Sequence, residues 1–143
     1  MTRLLLRCLL LCCLASCMAM LAGCPKSAGK GSALEEAQYA YSAAIRWGDF
    51  EGAWNLVDPE YRLEHPLTDI DFSRYKQVQI SGYREKGGAI QPDGEILRDI
   101  EIGVINRNTL VERTVRYREH WHYDEAAKAW WLVTGLPDLW QGE

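Results

Sequence analysis

The chain has 143 residues, 48% of them hydrophobic and 25% charged, and a net charge of −4 at pH 7. That length suits one compact domain, and the acidic balance argues against nucleic acid and against charge-driven adsorption to anionic lipid. All six Trp, seven Tyr and both Phe lie after residue 24 and all five Cys lie at or before it. The later part of the chain therefore has no internal disulfide and relies on its aromatic core, at about 2 to 3 kcal/mol per fully buried ring.

In chain order, the first element is a short basic start, Arg3 and Arg7, followed by Leu4 to Leu21, almost continuously Leu, Ala, Met and Cys. Apolarity alone fits either a membrane span of about 20 residues or a signal segment. Ala22 and Gly23 then precede Cys24, and small residues there suit the extended backbone that a processing enzyme grips. Leu21-Ala22-Gly23-Cys24 resembles the lipobox of bacterial lipoproteins. The resemblance implies that residues 1–23 are a signal peptide and that Cys24 is lipidated and becomes the new N-terminus. It also implies membrane attachment through that lipid. Pro25 rather than Asp after the cysteine implies, by analogy with sorting signals, the outer membrane, with the domain facing the periplasm. Cleavage there leaves 120 residues with a charge near −6. Residues 24–32 read as a flexible tether of about 15 Å reach.

Leu34, Ala37, Tyr41, Ala44 and Ile45 recur at helical spacing and predict a helix from Ala33 to Trp47, capped by Ser32 and stopped by Gly48. Asp49 caps a second helix with Phe50, Ala53, Trp54 and Val57 on one face, ended or kinked at Asp58-Pro59. A weaker third helix covers Asp69 to Tyr75. The period then becomes alternating. Val78 and Ile80 open a strand that Gly87-Gly88 breaks, and Ile96, Ile100, Ile102 and Val104 mark a second with a bulge near Gly103. Val111, Val115, Tyr117, Trp121 and Tyr123 share one face of a third, and Ala129 to Thr134 forms the fourth. Helices followed by a four-strand meander predict an α+β fold over residues 33–143.

Three segments carry a further resemblance: Ala37-x-x-x-Tyr41-x-x-Ala44, Gly48-Asp49-Phe50-Glu51-Gly52-Ala53-Trp54, and Trp121 with Trp130-Trp131. Their order resembles the nuclear transport factor 2-like superfamily. The resemblance implies N-terminal helices packed on a curved four-stranded antiparallel sheet, forming a cone whose pocket Tyr41, Trp54, Trp121 and Trp131 would line. That fold hosts enzymes, ligand binders and interaction modules alike. Within it, ketosteroid isomerases have a Tyr seven residues before the glycine of a similar segment and a catalytic Asp in a Glu-Asp-Pro triplet. Here Tyr41 lies seven residues before Gly48, and Glu64-His65-Pro66 stands in the triplet's place. The similarity implies Tyr41 as an oxyanion-stabilising phenol and His65 as a base. The residues themselves also allow a plain reading, with Tyr41 in the core and His65 in an exposed turn.

His120 and His122 project from one strand face about 6.6 Å apart and can share a metal, with His65 as a third ligand. Arg116 and Arg118 on that face oppose a cation, so no metal is expected. Arg113, Arg116 and Arg118 with Glu112 and Glu119 read as a charge ladder on a solvated sheet face or as a partner surface. Leu136 to Trp140 either folds back or docks elsewhere. No phosphate loop, nucleophile elbow or other cofactor motif is present, so no cofactor is expected. The preferred expectation is a non-catalytic, lipid-anchored domain binding an envelope protein or a small apolar ligand. An isomerase or dehydratase using Tyr41 and His65 is the alternative.

Overall fold

The computed structural model describes residues 29–141, so the expected signal peptide and the expected lipidation site Cys24 lie outside the described residues. The elements are α1 (Lys30–Trp47), α2 (Phe50–Trp54), α3 (Pro59–Glu64), α4 (Asp69–Tyr75), β1 (Val78–Ile90), β2 (Ile96–Asn106), β3 (Glu112–Asp124) and β4 (Ala129–Leu132). The strands form one antiparallel sheet in the order β1-β2-β3-β4, giving the expected α+β meander. Among the described residues no helix is long and apolar enough to cross a membrane.

α1 starts three residues before its expected position, and Ser32 does not cap it; the Ser32 hydroxyl donates to the Gly29 carbonyl at 2.9 Å. Contacts distant in sequence hold this first turn. The Trp130 indole donates to the Lys30 carbonyl at 2.8 Å, while the Lys30 ammonium pairs with Glu125 and lies 4.4 Å from the Tyr123 ring centre. Gly48 ends the helix at φ 75°, a left-handed conformation that favours glycine, and its N–H returns to the last turn. Asp49 then caps α2, accepting from the Gly52 N–H at 2.8 Å.

Asp58-Pro59 begins a helix where the sequence reading placed an end or kink. Asp58 accepts from the N–H groups of Glu60 and Tyr61, and Pro59 occupies the first turn, where its missing N–H costs nothing. α4 forms as expected behind a capping box between Thr68 and Asp71. β1 runs through Gly87-Gly88 to Ile90, with irregularities at Ser81 and Lys86. The bulge foreseen near Gly103 is therefore carried by the facing strand, where Ser81 is the extra residue. β4 ends at Leu132, two residues early, as the chain turns away. Its free edge is closed by a parallel bridge to Val57, leaving β1 as the open edge.

The core lies between the helices and one sheet face. Tyr41, Ile45, Phe50, Ala53 and Val57 meet Ile100, Ile102, Val104, Val115, Trp121 and Leu132. The C-terminal segment folds back, burying Leu139 completely; Tyr75 donates to the Pro137 carbonyl at 3.1 Å and packs on Trp140 at 5.1 Å. Trp54 is only half-buried, with its nearest ring Tyr61 at 6.3 Å. The wholly buried tryptophan is Trp121, edge-on to Tyr41 at 5.9 Å.

Candidate functional site

Alternation along β3 directs Val115, Tyr117, Glu119 and Trp121 to the helix-covered face. Glu119 is thus not part of a solvated ladder, because it sits two residues from each of two core aromatics and shares their face. It is fully buried, and three donors hold its carboxylate: Tyr83, Trp121 Nε1 at 2.7 Å and Arg98 Nη1 at 2.9 Å. Arg98 directs its remaining two nitrogens to Glu85 Oε2, at 3.0 and 2.7 Å. Burial pushes the Glu119 carboxyl above the usual carboxylate range, against the hydrogen bond from Tyr83 and the charge of Arg98. Arg98 stays above its ordinary value although burial opposes its charge, because Glu119 and Glu85 face it.

Above this cluster the Tyr41 hydroxyl meets that of Tyr117 at 3.1 Å and lies 3.3 Å from the Gly135 carbonyl oxygen. Tyr117 donates to the same carbonyl at 2.6 Å. Burial raises both phenols well above their ordinary value, with Tyr117, Tyr83 and Glu119 adding to the effect at Tyr41. These hydroxyls, with Trp121 edge-on to Tyr41, make the interior between α1 and β3 a hydrogen-bonded core.

The structure does not bring Tyr41 and His65 together. His65 is exposed at the end of α3, its ring stacked on Tyr61 at 4.3 Å and its Nδ1 3.1 Å from the Tyr61 carbonyl. Tyr41 is wholly buried and its hydroxyl is committed to Tyr117 and Gly135. The two therefore cannot reach one substrate as they stand. Tyr41, Trp54, Trp121 and Trp131 likewise line no common cavity. Tyr41 and Trp121 form the core, Trp54 packs on Tyr61, and Trp131 pairs with His122 on the opposite sheet face.

His120 and His122 do share a face, and both ring systems meet Glu95 from the β1–β2 turn, His122 Nδ1 at 3.1 Å. Glu95, not His65, is their third neighbour. Among the described residues no three His, Cys, Asp or Glu side chains are placed to hold a metal ion. The same outer face carries paired charges, Arg118 with Asp99 at 2.7 Å and Arg84 and Lys86 with Glu101. Lys86, Asp99, Glu101, Arg116 and Arg118 border, with Tyr117, a hollow of about 520 Å³. Arg113 leaves this ladder, donating to the Leu139 carbonyl at 3.2 Å to hold the C-terminal segment.

A cleft of about 460 Å³ opens between the first turns of α1 and the far half of the β1–β2 hairpin. Gly31, Leu34, Glu35 and Gln38 form one wall; Glu85, Gly88, Ile90, Ile96 and Arg98 belong to the other. Its inner end is thus the Arg98–Glu85 pair that covers Glu119. Two glycines lie on its walls. Gly88 faces Arg98, and a Cβ there would stand 2.6 Å from the Leu97 carbonyl oxygen, whereas a Cβ on Gly31 would meet nothing within 4 Å. Sequence reading missed this cleft, because it depends on how α1 packs beside the β1–β2 hairpin. No protein-family model matches the chain, and no curated protein or solved structure matches it significantly.

Proposed function

We propose that the protein is a non-catalytic, lipid-anchored component of the outer membrane whose domain, of the nuclear transport factor 2-like class, binds a small amphipathic ligand on the periplasmic side. The observation that carries the binding half is the contrast between interior and cleft. Tyr41 and Glu119, which an acid–base reaction would use, are buried, Tyr117 and Tyr83 beside them are partly buried, and all four are hydrogen-bonded within the cluster. A cleft of ligand size, with Leu34, Ile90 and Ile96 beside Glu35 and Glu85, stands open at Arg98. The anchor half is supported by Leu21-Ala22-Gly23-Cys24 after an apolar run. The helices-then-meander order and the helix-covered sheet face support the fold class.

Metabolic labelling with palmitate and density fractionation test the anchor. The chain is expected to take up label and sediment with outer membranes, and Cys24→Ser to lose the label. A labelled or still-cleaved, membrane-bound Cys24→Ser variant would overturn lipidation at this residue; inner-membrane sedimentation would overturn the location.

A further inference from the structure

We infer that the cleft between α1 and the β1–β2 hairpin takes an amphiphile with a cationic head and a short apolar tail. The inference deepens the binding reading above and rests on it, but not on the anchor. Leu34 and Ile96 pack against the core and expose the rest of their surface to the cleft, and Ile90 at its edge is 78% exposed. These three side chains form an apolar wall that a tail can cover.

Charge selects the head. Glu35 is exposed on α1, and Glu85 faces it across the cleft with its side chain half exposed. Arg98 contacts Glu85 through Oε2 alone, so Oε1 takes no part in that pair. The Arg98 side chain is only 15% exposed and all three of its guanidinium nitrogens already donate to carboxylates, one of them the buried Glu119. It has little left to offer an incoming anion. The other nearby cations are engaged elsewhere: Lys30 with Glu125 and the Tyr123 ring, and Lys86 with Glu101 on the outer face. Of the charged side chains lining the cleft, Glu35 and Glu85 are balanced by Arg98 alone, and Arg98 is shared with the buried Glu119, so the cleft carries excess negative charge. A fatty-acid carboxylate is repelled there, whereas an ammonium meets two carboxylates beside an apolar wall.

Calorimetric titration of the full chain with octyltrimethylammonium tests this directly, with octanoate as the same-length anion and tetramethylammonium as the head alone. The cation is expected to bind at least about tenfold more tightly than either control, a difference of roughly 1.4 kcal/mol. Glu35→Gln is expected to weaken it by about three- to tenfold. Gly31→Leu should abolish it, since a side chain there enters open space at the cleft wall and replaces a helical glycine by a better helix former. Circular dichroism checks that both variants fold. Octanoate binding as well as the cation, or a folded Gly31→Leu that binds undiminished, would overturn the inference. A palmitate-labelled chain that ignores the cation removes the ligand class and leaves the anchor standing. An unlabelled chain that binds the cation does the reverse.

Discussion

Replacing Glu119 by alanine is expected to cost about 4 kcal/mol of stability. The side chain is wholly buried and receives hydrogen bonds from Tyr83, Trp121 and Arg98. Removing it takes one partner from a buried charge, which costs roughly 3 to 5 kcal/mol when nothing else compensates. Here Glu85 still holds two Arg98 nitrogens, so the lower end of that range applies. The hydroxyl of Tyr83 and the indole N–H of Trp121 are then left unpaired, adding about 1 kcal/mol or more. A domain of this size is stable by roughly 5 to 15 kcal/mol, so the loss is a large fraction. Glu119→Gln keeps the shape and part of the acceptor capacity, and about half the cost is expected. Urea unfolding of the purified chain, followed by tryptophan fluorescence with equal m-values across variants, reads these differences. A double-mutant cycle with Arg98→Ala should give a coupling of about 2 kcal/mol. A Glu119→Ala variant within about 1 kcal/mol of the parent would refute the picture of Glu119 as the polar anchor of the core.

Trp121→Ala should cost about 4 to 5 kcal/mol in the same assay and Trp54→Ala roughly half of that, since Trp121 is fully buried and Trp54 only partly so. Gly48→Ala should cost about 1 kcal/mol, because the helix end holds φ at 75° and its N–H is used; an unchanged urea midpoint would contradict that. Alkaline titration should show a late phase of tyrosine ionisation. Burial raises Tyr41, Tyr83 and Tyr117 above their ordinary value and pushes Tyr75 up to about 12. The folded state then holds more phenolic protons than the unfolded one above about pH 10, so the stability these groups contribute is complete below that pH and is lost as pH rises through about 12. Absorbance at the phenolate band should rise together with loss of circular dichroism; full ionisation before unfolding would contradict it.

Most of the framework was legible in local pattern. The phase of Tyr41 and Ile45, the Gly48-Asp49 stop and cap, and the alternation around Ile100, Ile102 and Val104 all act within a few residues, and the structure uses each as read. The misread positions have physical causes. Asp58-Pro59 carries an N-cap followed by a first-turn proline, a helix-start signature that a reading of proline as a breaker overlooks. Gly87-Gly88 remains a strand because β2 pairs it throughout, and the tight approach to Leu97 favours glycine there. The start of α1 depends on Trp130 and Glu125, about a hundred residues away, so no local signal marks it. The site was less legible. Counting by twos from Tyr117 and Trp121 places Glu119 inside, and only its charge concealed this. The meeting of Glu95 with His120 and His122 depends on the β2–β3 register and turn, which sequence spacing does not disclose.

Hydrogen–deuterium exchange of the full chain, with and without octyltrimethylammonium, tests most directly whether the cleft and not the buried tyrosine–glutamate cluster is the working site. Added protection is expected in residues 31–38 and 85–98, with the outer sheet face unchanged. Protection centred on Arg116 and Arg118, or no change along the cleft walls at saturating cation, would contradict the account.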